Sequence, residues 1–332
     1  STSAAAVPLR TNIVSVVVES FENNFGGGRS PDAVLWFDAS LDRFVTSTAF
    51  ATSLPAWARP LANTTALKEL RARPWTLLDA PFVTAHAATV DDAPGEGDLD
   101  GLGSVFPHVV PRPIAFRATP YADQAVLALA RAAIAARDPA RPMFLSVSLS
   151  ANDYVAHVFG PDSFEAWDNL LRIDASLAGL FAALDGAVTA EGWSLVLTGD
   201  HGSVSLPEVQ KRPWCAPGAK DPWDRPCEAG HRLDPRALRE QLEVSAVALL
   251  GPGRWIDGVT DPWVVYTEAA RALAPERRGE LDAAISAKLG AMPGVHSVHV
   301  TRTLPPDCPM DESVPALVCR SARREGPWDL YV

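Results

Sequence analysis

Two aspartate–histidine pairs in this chain have the residue types and the spacing to bind metal ions. Asp153 and His157 are four residues apart, whereas Asp200 and His201 are adjacent. A four-residue spacing places two side chains on one face of a helix, and an adjacent pair needs a backbone bend to aim both side chains at one point. Carboxylate oxygen combined with imidazole nitrogen suits Zn²⁺ or a similar first-row metal, because Mg²⁺ and Ca²⁺ prefer oxygen alone. We therefore predict that these four residues are metal ligands.

Each pair follows a segment that is predicted to be a buried strand. The apolar runs Met143 to Leu149 and Ser194 to Thr198 have the length and continuity of strands inside a sheet. In open α/β sheets ligands bind at the carboxyl ends of strands, which is where both pairs would lie. A single pair would be interpreted as a loop hydrogen bond or a helix cap, but two pairs at two strand ends favour a metal site.

The elements around these strands alternate between helices and apolar strands. A strand is predicted over Asn12 to Val18, and a hairpin joins Ala33 to Phe37 with Phe44 to Thr48. Helices are predicted from Thr119 to about Arg137 and from about Ser163 to Leu184. This order indicates an α/β fold with a largely parallel sheet.

Two regions depart from the alternation. Residues 49–118 are predicted to be a surface insertion or lid, because much of this stretch is irregular and rich in Pro, Trp and Asp-Gly dipeptides. Residues 207–305 are predicted to be a small, loop-rich α+β subdomain that contains a β-α-β unit. Its predicted helices and strands are Pro235 to Ala246, Trp263 to Thr267, Arg277 to Met292 and Val295 to Val300.

The segments that hold the two pairs resemble a known family. Ser148 to Ser163 and Leu197 to Gly202 are similar to the metal-binding core of the alkaline phosphatase superfamily. The most similar branch is that of the type I phosphodiesterases and nucleotide pyrophosphatases, and within it the bacterial phosphate-irrepressible alkaline phosphatases. The resemblance extends over most of the chain through Ser30 to Asp38, Phe44 to Thr48, Leu54 to Trp57, Phe106 to His108 and Arg232 to Pro235.

The resemblance implies one alkaline-phosphatase-like domain over residues 1–332, with three α/β/α layers and a two-zinc site for phosphoryl transfer. It assigns Asp153 and His157 to one zinc ion, and Asp200 and His201 to the other. Metals in such a site lower the pKa of the nucleophile and stabilise the leaving oxygen. The implied substrate is a small-molecule phosphate ester, which the local ions could attract despite the negative charge of the protein.

Parts of the family pattern have no counterpart in this sequence. The family nucleophile is a Thr or Ser, but nothing in residues 1–10 resembles its motif, so Thr2 and Ser3 are expected to be tail residues and the nucleophile stays unassigned. The third ligand of one zinc lies downstream of a strand that Trp328 to Val332 begins. The resemblance thus implies a domain incomplete at both ends, in which each zinc keeps two ligands, with other fragments of the same polypeptide as candidate partners.

A further departure lies in the loop after the first strand. Bacterial monoesterases of this branch carry a Lys-x-Arg there that holds the phosphate oxygens, and the matching positions here are Glu19-Ser20-Phe21. Losing two cations and gaining a carboxylate weakens binding of a monoester dianion. This favours diesters, another ester or loss of catalysis, and the predicted activity is that of a phosphodiesterase or phosphomonoesterase with a two-zinc site. It also keeps open an alternative, a non-catalytic homologue that acts as a structural or binding subunit.

The remaining histidines are weaker candidates. His231 lies in a loop and is the nearest spare histidine, but isolated histidines usually have structural roles. His296 and His299 are expected to lie on the surface of a sheet. His86 and His108 fall in the insertion, where no ligand spacing is found.

Charge and hydropathy exclude other functions. The chain has 29 Lys and Arg against 40 Asp and Glu, a net charge of −11, which argues against a nucleic-acid binder. No uninterrupted apolar run approaches the roughly 20 residues of a membrane helix, so no transmembrane segment is predicted. The composition is that of a globular protein.

Four cysteines fall as two local pairs, Cys215 with Cys227 and Cys308 with Cys319. None has the C-x-x-C spacing of a zinc or redox motif. The even count, the short separations and the loop placement favour two local disulfides over four unrelated thiols. Disulfides imply an oxidising compartment, so we expect a periplasmic, secreted or cell-surface protein.

Overall fold

The computed structural model describes residues 12–17, 31–189, 191–199, 201–209, 232–322, 324 and 326–332. The chain divides into two units, residues 1–211 and residues 212–332. Each unit has its own four-stranded sheet and its own hydrophobic core.

The sheet of the first unit has the strand order β3-β2-β1-β4. Its strands are β1 (Asn12–Val17), β2 (Ala33–Asp38), β3 (Arg43–Val45) and β4 (Met143–Val147). Strand β1 pairs in parallel with β2 and β4, whereas β2 and β3 form an antiparallel hairpin. Val16 and Leu35 are fully buried in this sheet, as apolar side chains on strands covered by helices should be. The predicted first strand, the hairpin and the largely parallel sheet are confirmed.

Residues 49–118, predicted to be irregular, contain two helices and part of the core. Helix α1 spans Thr64–Arg71 and helix α2 spans Ala80–His86. Asp79 caps α2 by accepting a hydrogen bond from a backbone N–H of its first turn. The ring of Trp75, between the two helices, is fully buried and belongs to the same hydrophobic cluster as the sheet. The insertion is therefore packed on the sheet, and its action as a lid stays a prediction.

The described part of the first unit has three further α-helices: α3 (Pro120–Ala135), α4 (Ala151–Phe159) and α5 (Phe164–Ala187). Proline suits the first position of α3, where its missing N–H would have no helical partner. The Ser163 hydroxyl caps α5 by accepting a hydrogen bond from the first turn. The helices predicted to start near Thr119 and Ser163 are confirmed. Helices α3 and α5 share a buried cluster, which comprises Leu127, Ala130, Ile134 and Leu180.

The buried strand predicted at Ser194 to Thr198 is wrong. Residues 193–199 form neither a strand nor a helix, and the side chains of Val196 and Leu197 are 89% and 73% exposed. A short apolar run forms a buried strand only where a neighbouring strand and a covering layer receive it. The described strands of this sheet are β3, β2, β1 and β4, and none of them pairs with residues 193–199.

The second unit is built on an antiparallel sheet with the order β5-β6-β8-β7. Its strands are β5 (Ile256–Thr260), β6 (Trp263–Tyr266), β7 (His299–Val300) and β8 (Leu330–Tyr331). Its helices are α6 (Pro235–Leu250), α7 (Glu268–Arg271), α8 (Pro275–Gly290) and α9 (Val314–Ser321). Because β6 and β7 are each antiparallel to β8, they run parallel to each other. Strand β6, helix α8 and strand β7 thus form the predicted β-α-β unit, with β8 between its strands and with β7 shorter than expected.

Cys308 and Cys319 form a disulfide, as predicted, with their Cα atoms 5.5 Å apart. Cys319 lies on α9 and packs in a small cluster with Leu304, Val318 and Ala322. The disulfide therefore fastens α9 to the loop that precedes it. The described helices include none that is long and apolar enough to cross a membrane.

Candidate metal centre

Helix α4 carries the first predicted pair on its outer face. Ala151, Val155 and Phe159 are spaced four residues apart and are fully or almost fully buried. Because an α-helix has 3.6 residues per turn, this spacing turns one face of α4 towards the core. Asp153 and His157, four residues apart themselves, lie outside that stripe and are accessible to solvent.

Two hydrogen bonds fix the chain where β4 passes into α4. The N–H of Ser148 donates to the carbonyl oxygen of Val16 at 3.2 Å, which extends the pairing of β4 with β1. The N–H of Ala151 donates at 3.1 Å to the carboxylate of Asp123, a buried residue of α3. A carboxylate at this place also offsets the positive end of the helix dipole. The start of α4 is thus tied to the sheet and to a neighbouring helix.

Three of the four predicted ligands lie close together. Oδ2 of Asp153 is 3.4 Å from Nε2 of His157, and its Oδ1 is 3.7 Å from Nε2 of His201. The two imidazoles therefore approach different oxygens of one carboxylate. The exposed fractions of the three side chains are 43% for Asp153, 74% for His157 and 56% for His201, so a ligand from solvent can reach them.

These residue types are ones that bind zinc. One carboxylate oxygen and two imidazole nitrogens are among the usual ligands of zinc. Nδ1 of His201 lies 3.1 Å from the carbonyl oxygen of Gly202, and a proton on Nδ1 leaves Nε2 able to bind a metal. In the described ranges no group of three or more His, Cys, Asp or Glu side chains is arranged so that it could hold a metal ion. Asp153, His157 and His201 are therefore close to one another but do not form a closed coordination shell.

Arg117 is a cation beside α4 that sequence reasoning missed. Its Nη1 donates to the hydroxyl oxygen of Tyr154 at 3.2 Å, and its guanidinium carbon is 5.8 Å from the centre of that ring. A hydrogen bond from Ser40 lowers the pKa of Asp38, at the carboxyl end of β2, and the charge of Arg117 adds to this effect. Arg117 thus contacts α4 at the residue that follows Asp153. No spacing or motif marks this arginine in the sequence.

His108 belongs to a buried pair rather than to a ligand set. Its Nε2 lies 2.8 Å from Oε1 of Glu165, and its Nδ1 lies 3.2 Å from the carbonyl oxygen of Leu102. Because a carbonyl oxygen only accepts, the contact with Leu102 requires a proton on Nδ1. Neither His108 nor Glu165 is exposed. Burial, together with the charge of Glu165, raises the pKa of nearby Glu96 to about 8.

The remaining described histidines do not belong to the group of Asp153, His157 and His201. His86 is exposed on α2 and stacks on the ring of Phe82. His299 is half-buried on β7, where burial and then the charge of His296 lower its pKa. The other residues singled out in the sequence lie outside the described ranges: Thr2, Ser3, Glu19, Ser20, Phe21, Asp200, Cys215, Cys227 and His231.

Comparison with known families identifies the family of this chain. The sequence profile of the type I phosphodiesterase / nucleotide pyrophosphatase family matches residues 15–219, which is well over half of the chain. The chain therefore belongs to this family. The matched range includes α4 and both aspartate–histidine pairs.

Individual relatives are alkaline phosphatases. PhoV of Synechococcus elongatus is 30% identical over 211 residues, which cover 61% of this chain and 38% of PhoV. PafA of Elizabethkingia meningoseptica is 30% identical over 221 residues, which cover 63% of this chain and 40% of PafA. The crystal structure of wild-type PafA matches with a TM-score of 0.72 at 21% identity, over 97% of this chain and 61% of that chain. The chain thus spans about two fifths of the length of these curated relatives, and it has the α/β fold of PafA.

Proposed function

We propose that the protein to which this chain belongs is a metal-dependent hydrolase of phosphoric esters. Membership in the phosphodiesterase family and similarity to alkaline phosphatases support ester hydrolysis at phosphorus. The observation that supports a metal centre is the meeting of Asp153 with both His157 and His201. This meeting lies beyond the carboxyl end of β4, the usual place for a ligand in an open α/β sheet.

In this proposal Asp153 and His157 hold one zinc ion, and Asp200 and His201 hold the other. Nε2 of His201 lies 3.7 Å from the carboxylate of Asp153, so the two proposed pairs are neighbours. Zinc there supplies positive charge that lowers the pKa of a nucleophile and offsets charge on the phosphoryl oxygens. The chain contributes orientation, because α4 holds Asp153 and His157 one turn apart. We expect this chain to provide half of the ligands of each ion.

We further propose that diesters are better substrates than monoesters. A diester carries one negative charge, whereas a monoester dianion carries two and needs more positive charge to bind. Glu19 and Phe21 stand where related monoesterases have two cations. Losing two cations and gaining a carboxylate weakens binding of the dianion more than that of the monoanion.

Glu19 and Phe21 also favour a second candidate function. A chain that has lost its phosphate-holding cations could act as a non-catalytic structural or binding subunit. Retention of both aspartate–histidine pairs argues against this role, since a scaffold has no need of metal ligands. The Cys308–Cys319 disulfide supports a periplasmic, secreted or cell-surface location for either candidate.

Metal content and ester preference of the intact protein test the proposal. Zinc would be measured by mass spectrometry of the metal, and hydrolysis with bis(p-nitrophenyl) phosphate and p-nitrophenyl phosphate. We expect about two zinc ions per molecule, as in other two-metal hydrolases, and faster cleavage of the diester. Absence of zinc after incubation with zinc would support the scaffold. Faster cleavage of the monoester would refute the diester preference alone.

A further inference from the structure

His201 lies on a segment without regular secondary structure. Residues 201–206 form neither a helix nor a strand, so the hydrogen bonding of such elements does not fix the imidazole. A turn follows, in which the N–H of Val209 donates to the carbonyl oxygen of Leu206 at 3.1 Å. The position of the His201 imidazole therefore depends on side-chain contacts of this segment.

Leu206 packs directly on the α-carbon of Gly160, the residue at which α4 ends. Leu206 is only 9% exposed, whereas Val204 in the same segment is 77% exposed. Cγ of Leu206 lies 2.7 Å from the point where a β-carbon on residue 160 would be. Gly160 has a φ of +86°, which side chains with a β-carbon disfavour. Glycine is required at this position both by the backbone and by the leucine that fills its space.

This contact joins the two parts of the candidate metal centre. Gly160 ends the helix that carries Asp153 and His157. Leu206 follows His201 after a few residues of the same segment. Because the space beside a glycine is narrow, the leucine fixes its segment against the end of α4. The His201 backbone is thereby held near Asp153 and His157.

A second contact supports the same arrangement. The carboxylate of Glu208 lies over Gly95, whose φ is +95°, and a β-carbon there would collide with it. In the same loop the N–H of Gly97 donates to the carbonyl oxygen of Val158 at 2.6 Å. This loop thus contacts both the last turn of α4 and the turn that begins at Leu206.

We propose that Leu206 is a positioning residue for His201, and that its contact with Gly160 sets the separation of His201 from Asp153. This inference rests on the proposed metal-binding function of these residues. Loss of a group that orients a metal ligand typically lowers metal affinity by about 10-fold to 100-fold. We expect a loss of that size when the leucine side chain is truncated.

The first experiment compares Leu206→Ala with Val204→Ala in the intact protein. Both changes shorten an aliphatic side chain of the same segment, but Leu206 is buried against Gly160, whereas Val204 is 77% exposed. Zinc affinity should fall about 10-fold to 100-fold in Leu206→Ala and stay unchanged in Val204→Ala. The visible absorption of the cobalt-substituted protein should change only in Leu206→Ala, and Leu206→Met should restore it. Equal zinc affinity and equal cobalt spectra in the two alanine variants would overturn the proposal.

A second experiment separates this proposal from the proposed function. Crystal structures of metal-free wild-type and Leu206→Ala protein would give the distance from Nε2 of His201 to Oδ1 of Asp153, which is 3.7 Å here. We expect that distance to increase by more than 1 Å in the variant. An unchanged distance would overturn the positioning role, whatever the metal content. Failure of the wild type to bind zinc would instead refute the proposed function.

Gly160→Ala provides an independent variant if Leu206→Ala does not fold. The added methyl group should displace Leu206 and lower zinc affinity to a similar degree. If both variants act through one contact, the double variant should be little worse than either single variant. Fully additive losses of zinc affinity would overturn the proposal.

Discussion

Nε2 of His201 lies 3.7 Å from Oδ1 of Asp153, although the 24-residue helix α5 lies between the two residues in the sequence. The same carboxylate meets Nε2 of His157 through its other oxygen, at 3.4 Å. Asp153 is therefore the residue that both histidines share. In the proposed assignment a change at Asp153 or His157 should affect mainly one metal position, and a change at His201 mainly the other.

Asp153→Asn keeps the shape of the side chain and removes its charge. We expect zinc to be lost from the position that Asp153 shares with His157 and diester hydrolysis to fall by at least about 100-fold, the upper end of the effect of losing a supporting group. His157→Ala should lose mainly one zinc ion. Zinc per molecule and kcat/KM check these expectations. Asp174→Asn and His86→Ala, which change exposed residues, are the matched controls, and full zinc content in Asp153→Asn would contradict the shared role.

The sequence alone predicts that Asp153 and His157 lie on one face of a helix, because a four-residue spacing corresponds to about one helical turn. Helix α4 has the phase that this spacing requires, with Val155 buried between the two predicted ligands. Burial of the first strand and the hairpin was equally predictable from continuous apolar runs. These features depend on local sequence or on neighbouring strands.

Other features depend on contacts that no local pattern contains. The apolar run at Ser194 to Thr198 predicts a buried strand. Its side chains are largely exposed, because no described strand pairs with it. Arg117 is a lone arginine in the sequence and gains significance only from its contact with Tyr154. The contact of Leu206 with Gly160 joins residues that are distant in the chain. Packing, rather than periodicity, determines all three.

Restoring cations at Glu19 and Phe21 should shift the ester preference. In Glu19→Lys/Phe21→Arg we expect the ratio of monoester to diester kcat/KM to rise by about 10-fold or more, since a hydrogen bond to a charged group contributes about 1.5–3 kcal/mol. Ser20→Lys adds one cation between the two matching positions and serves as the control. Steady-state kinetics with the two aryl phosphates measure the ratio. An equal rise in Ser20→Lys would mean that net charge, rather than position, sets the preference.

Glu96 should make the stability of the first unit fall as pH rises. Burial and the charge of Glu165 raise its pKa from 4.5 to about 8, so the folded state keeps a proton that the unfolded state releases. The free energy of unfolding therefore decreases between about pH 4.5 and pH 8. Below this window Glu96 is protonated in both states and contributes no pH dependence.

Glu96→Gln removes this titration. We expect its stability to exceed that of the wild type by an amount that grows from pH 5 to pH 8 and then stays constant. Denaturant unfolding at several pH values measures the difference, and Glu69→Gln, at an exposed site on α1, provides the control. A difference between Glu96→Gln and wild type that does not change with pH would contradict the shifted pKa.

The second unit holds a buried carboxylate between two arginines. Oδ2 of Asp329 lies 2.8 Å from Nη2 of Arg271, and its Oδ1 lies 2.5 Å from Nη2 of Arg278. The N–H of Tyr266 also donates to Oδ2 at 2.6 Å. The Asp329 side chain is only 6% exposed, so water cannot replace these contacts. This residue ties β8 to β6, α7 and α8.

Asp329→Asn should therefore destabilise the second unit strongly. The change leaves Arg278, which is 11% exposed, without one of its carboxylate partners, and loss of one partner from a buried pair costs about 3–5 kcal/mol. Asp257→Asn breaks an exposed pair with Arg254 and should cost at most about 1 kcal/mol. Hydrogen exchange at amides of β6 and β8 reports the free energy of opening in this unit. Similar protection in the two variants would show that the buried carboxylate contributes no more than a surface one, and that the apolar packing of α6 and α8 alone sets the stability of the sheet.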